Sequence, residues 1–172
     1  MAPDLVPERL LREVTMVEIT VAVEATAGSP FAPDDGPGAY GSPGGYPIGN
    51  GCVTDSLAED GMPVDVVLLM EEPALPRQAV RARPVALLHA VVDGRPREEV
   101  VCVPAGDENF ASLTDLPQLA DWHADELALA AVLRRLRAGH HCQVTGCEGR
   151  RSAETLLARA HHSYERLTGS LE

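Results

Sequence analysis

The sequence of 172 residues contains no lysine, and all fourteen of its basic residues are arginines. Without lysine the chain has no Schiff-base amine and no ammonium group of the kind that binds phosphate in P-loop proteins. Acidic residues outnumber the arginines 26 to 14, which gives a formal net charge of −12. Nucleic acids and anionic membranes bind through basic patches, so we expect neither as a partner.

Aromatic residues and long apolar runs are also scarce. Aromatics make up 3% of the chain, so the core must consist mainly of Val, Leu and Ala. No apolar run reaches the ~18 residues of a membrane span. Residues 1–14 mix acids with arginines and lack the apolar segment of a signal peptide. We therefore expect a cytoplasmic protein with free thiols, built of an N-terminal arm (residues 1–14) and one domain (residues 15–172).

The acidic charge is concentrated in one part of the chain. Residues 13–76 contain eleven Asp and Glu residues and no Arg, Lys or His. Such a stretch is either a solvated acidic face or a site for a cation or for acid–base chemistry. The solvated face is the more ordinary of these two interpretations.

Hydrophobic periodicity predicts a chain that begins with strands and ends with helices. Residues 27–51 are rich in Gly and Pro and are predicted to form a long loop with short extended pieces. Pro84, inside a predicted strand, is compatible with an edge or a bulge. The predicted strands are 16–25, 64–70, 78–92 and 99–103, and the predicted helices are 115–138 and 153–168. The expected fold is α+β: a small closed β-barrel flanked by two main helices.

Two motifs in the first half of the chain have a distinctive order and spacing. Tyr46-Pro-Ile-Gly-Asn-Gly is followed by Thr54-Asp-Ser-Leu-Ala-Glu-Asp-Gly-Met-Pro-Val-Asp65. This pair resembles YP-x-x-YG and T-L-x-x-D-G-D-P-x-D of the soluble (family I) inorganic pyrophosphatases. The likeness continues through Arg83-Pro-Val, Val101-Cys-Val-Pro and Leu113-Thr-Asp-Leu-Pro. It implies an OB-like barrel, a cytoplasmic location and a homo-oligomer, which is usually a hexamer in bacteria.

The resemblance implies hydrolysis assisted by several Mg²⁺ ions, with carboxylates as metal ligands and Lys, Arg and Tyr side chains on the phosphates. Glu18 is matched to the acidic residue at the end of the family's first strand. Asp60 and Asp65 match the outer aspartates of D-G-D-P-x-D. The central aspartate, which takes the proton of the attacking water, corresponds to Met62. A thioether cannot act as that base.

Other family positions also carry different residue types. The arginine before the YP motif corresponds to Gly38 and the second tyrosine to Asn50. Two strand aspartates and a lysine correspond to Val92, Arg97 and Glu99, and Asp93 lies one place from the first of them. The helical Tyr-Lys pair corresponds to Leu133-Arg134, and the following loop lysine to His140.

These replacements predict a divergent active site, because Arg97 would repel Mg²⁺ and Glu99 would repel a phosphate. We therefore expect that pyrophosphate hydrolysis is lost. The pocket would serve an isomerase, cyclase or lyase acting on a small organic molecule in bacterial specialised biosynthesis. No resident cofactor is expected beyond residual Mg²⁺ at Asp60 and Asp65, with Asp93 as an optional further ligand. The alternatives are a non-catalytic binding or scaffold protein and a weak Mg²⁺-dependent inorganic pyrophosphatase.

The candidate residues have structural alternatives. In these alternatives Asp60 only organises its turn, Arg97 and Glu99 form a structural ion pair, and Tyr46 is a core residue. His140 through Cys147 has a weak likeness to a zinc site but lacks a second ligand pair. Predicted catalytic residues are Glu18, Asp60 and Asp65, and predicted substrate-binding residues are Tyr46, Asn50, Arg97, Glu99, Arg134 and His140.

Overall fold

The computed structural model describes residues 17–33 and 45–169. The predicted N-terminal arm and Gly38 lie outside these ranges. The strands are β1 (Ile19–Ala27), β2 (Ile48–Val53), β3 (Asp65–Leu69), β4 (Ala79–Val92), β5 (Arg95–Pro104) and β6 (Cys142–Gly149). The helices are α1 (Leu116–Asp121), α2 (Glu126–Leu136) and α3 (Arg150–Gly169), and a 3₁₀ turn spans Glu108–Phe110.

The strands form one mixed sheet that closes on itself. Its order is β1-β2-β3-β5-β4-β6, and an additional pairing between β1 and β4 completes a ring of five strands with β6 outside it. The β3–β5 pair is parallel, and the other pairs are antiparallel. This ring with helices packed around it confirms the expected α+β, OB-like fold.

Most strand predictions are confirmed, and two strands were not predicted. β4 runs as one strand through Pro84, where the register with β5 shifts between Pro84 and Ala86. A bulge tolerates a residue without a backbone N–H, as expected. β2 lies in the predicted loop, and β6 lies in the stretch considered for zinc.

The predicted helix 115–138 is two helices. The chain breaks at Trp122–Ala124, where His123 adopts a φ of 61° and the indole of Trp122 is buried. Asp125 then caps α2 by accepting a hydrogen bond from the Ala128 N–H at 2.9 Å. None of the described helices is both long and apolar enough to cross a membrane.

Two hydrophobic cores lie on opposite faces of the sheet. One core joins Val67 and Val101 to Leu133 of α2 and to Trp122. The other joins even-numbered residues such as Val66 and Val100 to Leu157 of α3. Side chains alternate along a strand, so Asp65, Arg97 and Glu99 lie on the face that packs against α2.

Asp115 connects the starts of two helices. Its Oδ1 accepts hydrogen bonds from the Leu116 N–H of α1 at 2.7 Å and from the Arg150 N–H of α3 at 2.8 Å. We expect Asp115→Ala to lower the free energy of unfolding by about 1–2 kcal/mol, because both N–H groups lose their acceptor. Urea denaturation measures this, and Asp121→Ala, at an exposed residue of the same helix, is the control. Equal stability of the two variants would contradict the linking role.

Candidate active site

Four charged residues converge on the sheet face beneath the end of α2. The register places Cys52 beside Asp65, Asp65 beside Glu99, and Glu99 beside Leu88. Arg97 precedes Glu99 by two residues on β5, so it shares that face. Arg137 follows the last residue of α2 and reaches down to Glu99. We call Asp65, Arg97, Glu99 and Arg137 the charged cluster.

Arg97 and Asp65 form the more open pair of the charged cluster. The Arg97 Nη1 donates to Asp65 Oδ2 at 2.9 Å, and the two side chains are 45% and 30% exposed. An ion pair with this exposure contributes little stability. Its more important consequence is geometric, because it holds a carboxylate and a guanidinium side by side at the surface.

Glu99 and Arg137 form the buried pair. The Arg137 Nη2 donates to Glu99 Oε1, and the two side chains are 13% and 0% exposed. The pKa of Glu99 is raised to about 7, chiefly by burial; Arg137 opposes this rise, Asp65 adds to it, and Arg97 opposes it. Glu99 is thus a carboxylate that depends on one guanidinium for its charged state.

Two buried oxygen atoms on this face have no hydrogen-bond donor among the described residues. They are Glu99 Oε2 and Asn50 Oδ1. Asn50 lies on β2 opposite Val67, so it faces the same side as Asp65. A buried acceptor without a donor lowers the stability of the fold. In this position the two oxygens are suited to accept a hydrogen bond from water or from a bound molecule.

A second group of polar residues lies at the tip of the β4–β5 hairpin. Asp93 and Gly94 form its two-residue turn, with φ values of 51° and 82°. Asp93 Oδ2 lies 2.6 Å from His140 Nδ1, and Asp93 Oδ1 accepts from the His141 N–H at 2.9 Å. The His141 N–H and the His140 side chain lower the pKa of Asp93. Both carboxylate oxygens of Asp93 therefore already have a hydrogen-bond partner at the hairpin tip.

Arg134 lies between the hairpin tip and the charged cluster. Its Nε donates to the Cys142 carbonyl at 3.5 Å. Arg134, Arg137, Glu99 and Asp93 are all close enough to alter the pKa of the Cys142 thiol, which burial raises above its usual value. The guanidinium groups of Arg134 and Arg137 therefore both lie near Cys142, and that of Arg97 lies near Glu99.

Three other predicted residues have contacts with residues outside the charged cluster. Glu18 precedes β1, pairs with Arg81, and lines a cavity of about 310 Å³ next to α3. Asp60 is exposed and accepts from the Met62 N–H of its own turn at 3.0 Å. The Tyr46 ring lies 5.1 Å from Phe110 and 5.5 Å from Trp122, within the core. These contacts are the ones expected if Asp60 organises its own turn and Tyr46 is a core residue.

Sequence reasoning missed Glu24. The match of Glu18 to the end of the first strand is wrong, because β1 begins only at Ile19. Glu24 lies within β1 where the register with β2 shifts between Val23 and Ala25. Burial raises the pKa of Cys52, and Glu24 and then Asp65 add to that shift. Glu24 is therefore the acidic residue of β1 that lies near the charged cluster.

The metal ions implied by the resemblance can be tested against these side chains. Within residues 17–33 and 45–169, no group of three or more Asp, Glu, His and Cys residues is arranged to hold a metal ion. Asp65 and Glu99 each already bond a guanidinium. The described residues thus do not fit a resident multi-ion centre. They give no support to a zinc site at His140–Cys147 either.

Comparison with known proteins identifies the class of this fold and site. The model of the inorganic pyrophosphatase family matches residues 39–165. An inorganic pyrophosphatase of Helicobacter pylori has the same fold, with a TM-score of 0.64 and 24% identity over 86% of this chain and 94% of that one.

Two curated relatives extend the comparison to sequence. The inorganic pyrophosphatase of Haloferax volcanii is 30% identical over 121 residues, which are 70% of this chain and 68% of the relative. That of Synechocystis is 34% identical over 83 residues, 48% of this chain and 49% of the relative. This chain therefore matches only about half the length of the Synechocystis protein. The chain belongs to the inorganic pyrophosphatase family.

The family membership corrects the prediction of function. We expected a divergent active site that had lost pyrophosphate hydrolysis and been repurposed as a cyclase, isomerase or lyase for biosynthesis. That prediction is wrong, because relatives at 30–34% identity are inorganic pyrophosphatases. A small organic substrate is likewise unsupported. In the charged cluster, each exchanged charge has an opposite partner, since Arg97 pairs with Asp65 and Glu99 pairs with Arg137.

Proposed function

We propose that this chain hydrolyses inorganic pyrophosphate to two phosphates. The observation that carries the proposal is the relationship to the Haloferax enzyme, at 30% identity over 121 residues. Pyrophosphate is strongly anionic and binds Mg²⁺ in solution, so we take the magnesium complex as the substrate. No step below depends on a resident metal ion.

The substrate would bind at the end of α2. Arg97 and Arg134 provide two permanent positive charges there, beside the carboxylate of Asp65. Guanidinium groups present planar sets of N–H donors that match phosphoryl oxygens, and bonds of this kind are about twice as strong as neutral ones. Asn50 and His140 would border the same site.

Asp65 would act on the attacking water. Arg97 holds its Oδ2 at 2.9 Å, which fixes the carboxylate while the side chain remains 30% exposed. Oδ1 can then accept a proton from a water molecule as the water oxygen bonds to phosphorus. The bridging P–O bond breaks, the second phosphate leaves with the electron pair, and the proton passes from Asp65 to the products or solvent.

We also place the protein in the cytoplasm as a homo-oligomer, with a hexamer as the form expected from the family resemblance. Exposed apolar side chains support association, since Leu75, Leu127 and Leu167 are 74%, 82% and 61% exposed. Light scattering coupled to size exclusion would measure the mass. A monomer at micromolar concentration would contradict this part of the proposal.

The activity is tested by measuring phosphate release at a fixed total concentration of pyrophosphate and at increasing concentrations of Mg²⁺. We expect the rate to follow the concentration of the magnesium–pyrophosphate complex, because that complex is the substrate. The control is the same protein with a phosphate monoester, for which we expect negligible release. Release no faster than in buffer at any Mg²⁺ concentration would overturn the proposed function.

A further inference from the structure

We propose that Arg137 is a substrate-binding residue for pyrophosphate, and that buried Glu99 is the positioning residue that holds it in place. This inference rests on the proposed function and adds a phosphate contact at the end of α2. The resemblance alone does not indicate this contact, because Glu99 stands where the family has a lysine. A carboxylate there would repel an anion if it stood alone.

The first support is the difference in burial within the pair. Glu99 is completely buried, while the Arg137 side chain is 13% exposed. An arginine has five N–H donors, and within the described part of the chain only its Nη2 has a side-chain partner, Glu99 Oε1. The buried carboxylate thus holds one edge of the guanidinium, and the other donors remain available at the surface.

The second support is the position of the pair. Arg137 is the C-cap of α2, with a φ of −118° and a ψ of 52°, and its side chain reaches Glu99 on β5. Arg134 is one turn earlier on the same helix, and Arg97 lies two residues from Glu99 on β5. A phosphate at this end of α2 would therefore meet donors from a strand and from a helix.

The third support is the unpaired oxygen of Glu99. Its Oε2 is buried without a donor among the described residues. A purely structural ion pair gains most when both carboxylate oxygens accept hydrogen bonds. Here one oxygen bonds Arg137 and the other does not, which leaves the site incomplete until water or a protonated phosphoryl oxygen donates to it.

The test measures binding of methylenediphosphonate, a non-hydrolysable analogue of pyrophosphate, by calorimetry in the presence of Mg²⁺. Arg137→Gln should weaken binding about 10- to 100-fold, because a charge-assisted contact is lost. Arg137→Lys should weaken it less, since the charge remains but the fork of donors is lost. Arg159→Gln, at an exposed position of α3, is the matched control and should leave binding unchanged.

Glu99→Met separates positioning from simple electrostatics. Removing a negative charge should tighten anion binding if Glu99 acts only through its charge. If Glu99 positions Arg137, the same variant should weaken binding, because the guanidinium loses its anchor. Methionine fills a similar volume without a buried charge, so the variant should fold.

Arg137→Gln leaves the buried carboxylate of Glu99 unpaired, which favours misfolding. A double variant that also replaces Glu99 removes this carboxylate. Glu99→Met/Arg137→Gln should bind about as weakly as Arg137→Gln alone, because Glu99 acts through Arg137. Unchanged binding in the folded double variant, or tighter binding in Glu99→Met, would overturn the inference.

Wild-type activity separates this inference from the proposed function. Binding without hydrolysis in the wild type would reject the function but leave the inference standing. Hydrolysis with an unchanged KM in Arg137→Gln would reject the inference but leave the function standing. A wild type that neither binds nor hydrolyses would reject both.

Discussion

Asp65→Asn should reduce kcat for pyrophosphate hydrolysis by about 100- to 10,000-fold, the range usual for loss of a general base. The amide keeps the size of the side chain and can still accept a hydrogen bond from Arg97 through its oxygen. It cannot take a proton from water. The expected result is therefore a large fall in kcat with a smaller change in KM, measured by phosphate release over a range of substrate concentrations.

Two comparisons make this result interpretable. Asp121→Asn removes a carboxylate from an exposed position at the end of α1, and its kcat should stay at the wild-type value. Asp60→Asn tests the other predicted catalytic aspartate, whose Oδ1 is bonded to the Met62 N–H. If Asp60→Asn loses as much activity as Asp65→Asn, or if Asp65→Asn retains wild-type kcat, Asp65 is not the base.

The exchanged charges explain why residue-by-residue comparison predicted loss of function. Arg97 and Glu99 look incompatible with metal and phosphate when each is judged alone. In the structure Arg97 pairs with Asp65, and Glu99 pairs with Arg137 at a sequence separation of 38 residues. Arg137 is not in any motif that sequence reasoning singled out. Arg137, which follows α2, thus places a positive charge beside Glu99, and this pairing is apparent only from the fold.

The fold was more predictable than the site because alternating apolar residues mark most strands. β2 is one of two exceptions, since Gly49, Asn50 and Gly51 have low strand propensity. A Cβ at Gly51 would lie 2.1 Å from the Ala22 carbonyl oxygen, so the close approach of β1 and β2 requires glycine. The formation of this strand is therefore determined by tertiary packing, which no local sequence pattern predicts.

The remaining errors also come from backbone detail. The apolar spacing of residues 115–138 continues across the break at His123, so periodicity alone predicted one helix. The register shift between Val23 and Ala25 alters the order of side chains along β1. Sequence matching chose Glu18, while the structure brings Glu24 near Cys52 and Asp65.

Glu99 should also make the stability of the fold depend on pH. Its pKa rises from 4.5 to about 7 on folding, chiefly by burial, with Arg137, Asp65, Arg97 and Cys142 as its charged or titratable neighbours. A raised folded-state pKa means that the stabilising contribution is fully present below about pH 4.5 and is lost as the pH rises through about 7. The shift corresponds to about 3 kcal/mol, at about 1.4 kcal/mol per unit.

Glu99→Gln isolates this contribution, because glutamine does not titrate and can still accept a hydrogen bond from Arg137. The other titrating groups cancel when the unfolding free energies of wild type and variant are subtracted at each pH. From about pH 5 to about pH 8.5, urea denaturation should show the wild type losing roughly 2–3 kcal/mol relative to the variant. A difference that stays constant over this range would mean that Glu99 titrates near 4.5 in the folded protein. The effect of burial on the pKa of Glu99 would then be fully offset by Arg137, and the pair would be a rigid structural element across the whole pH range.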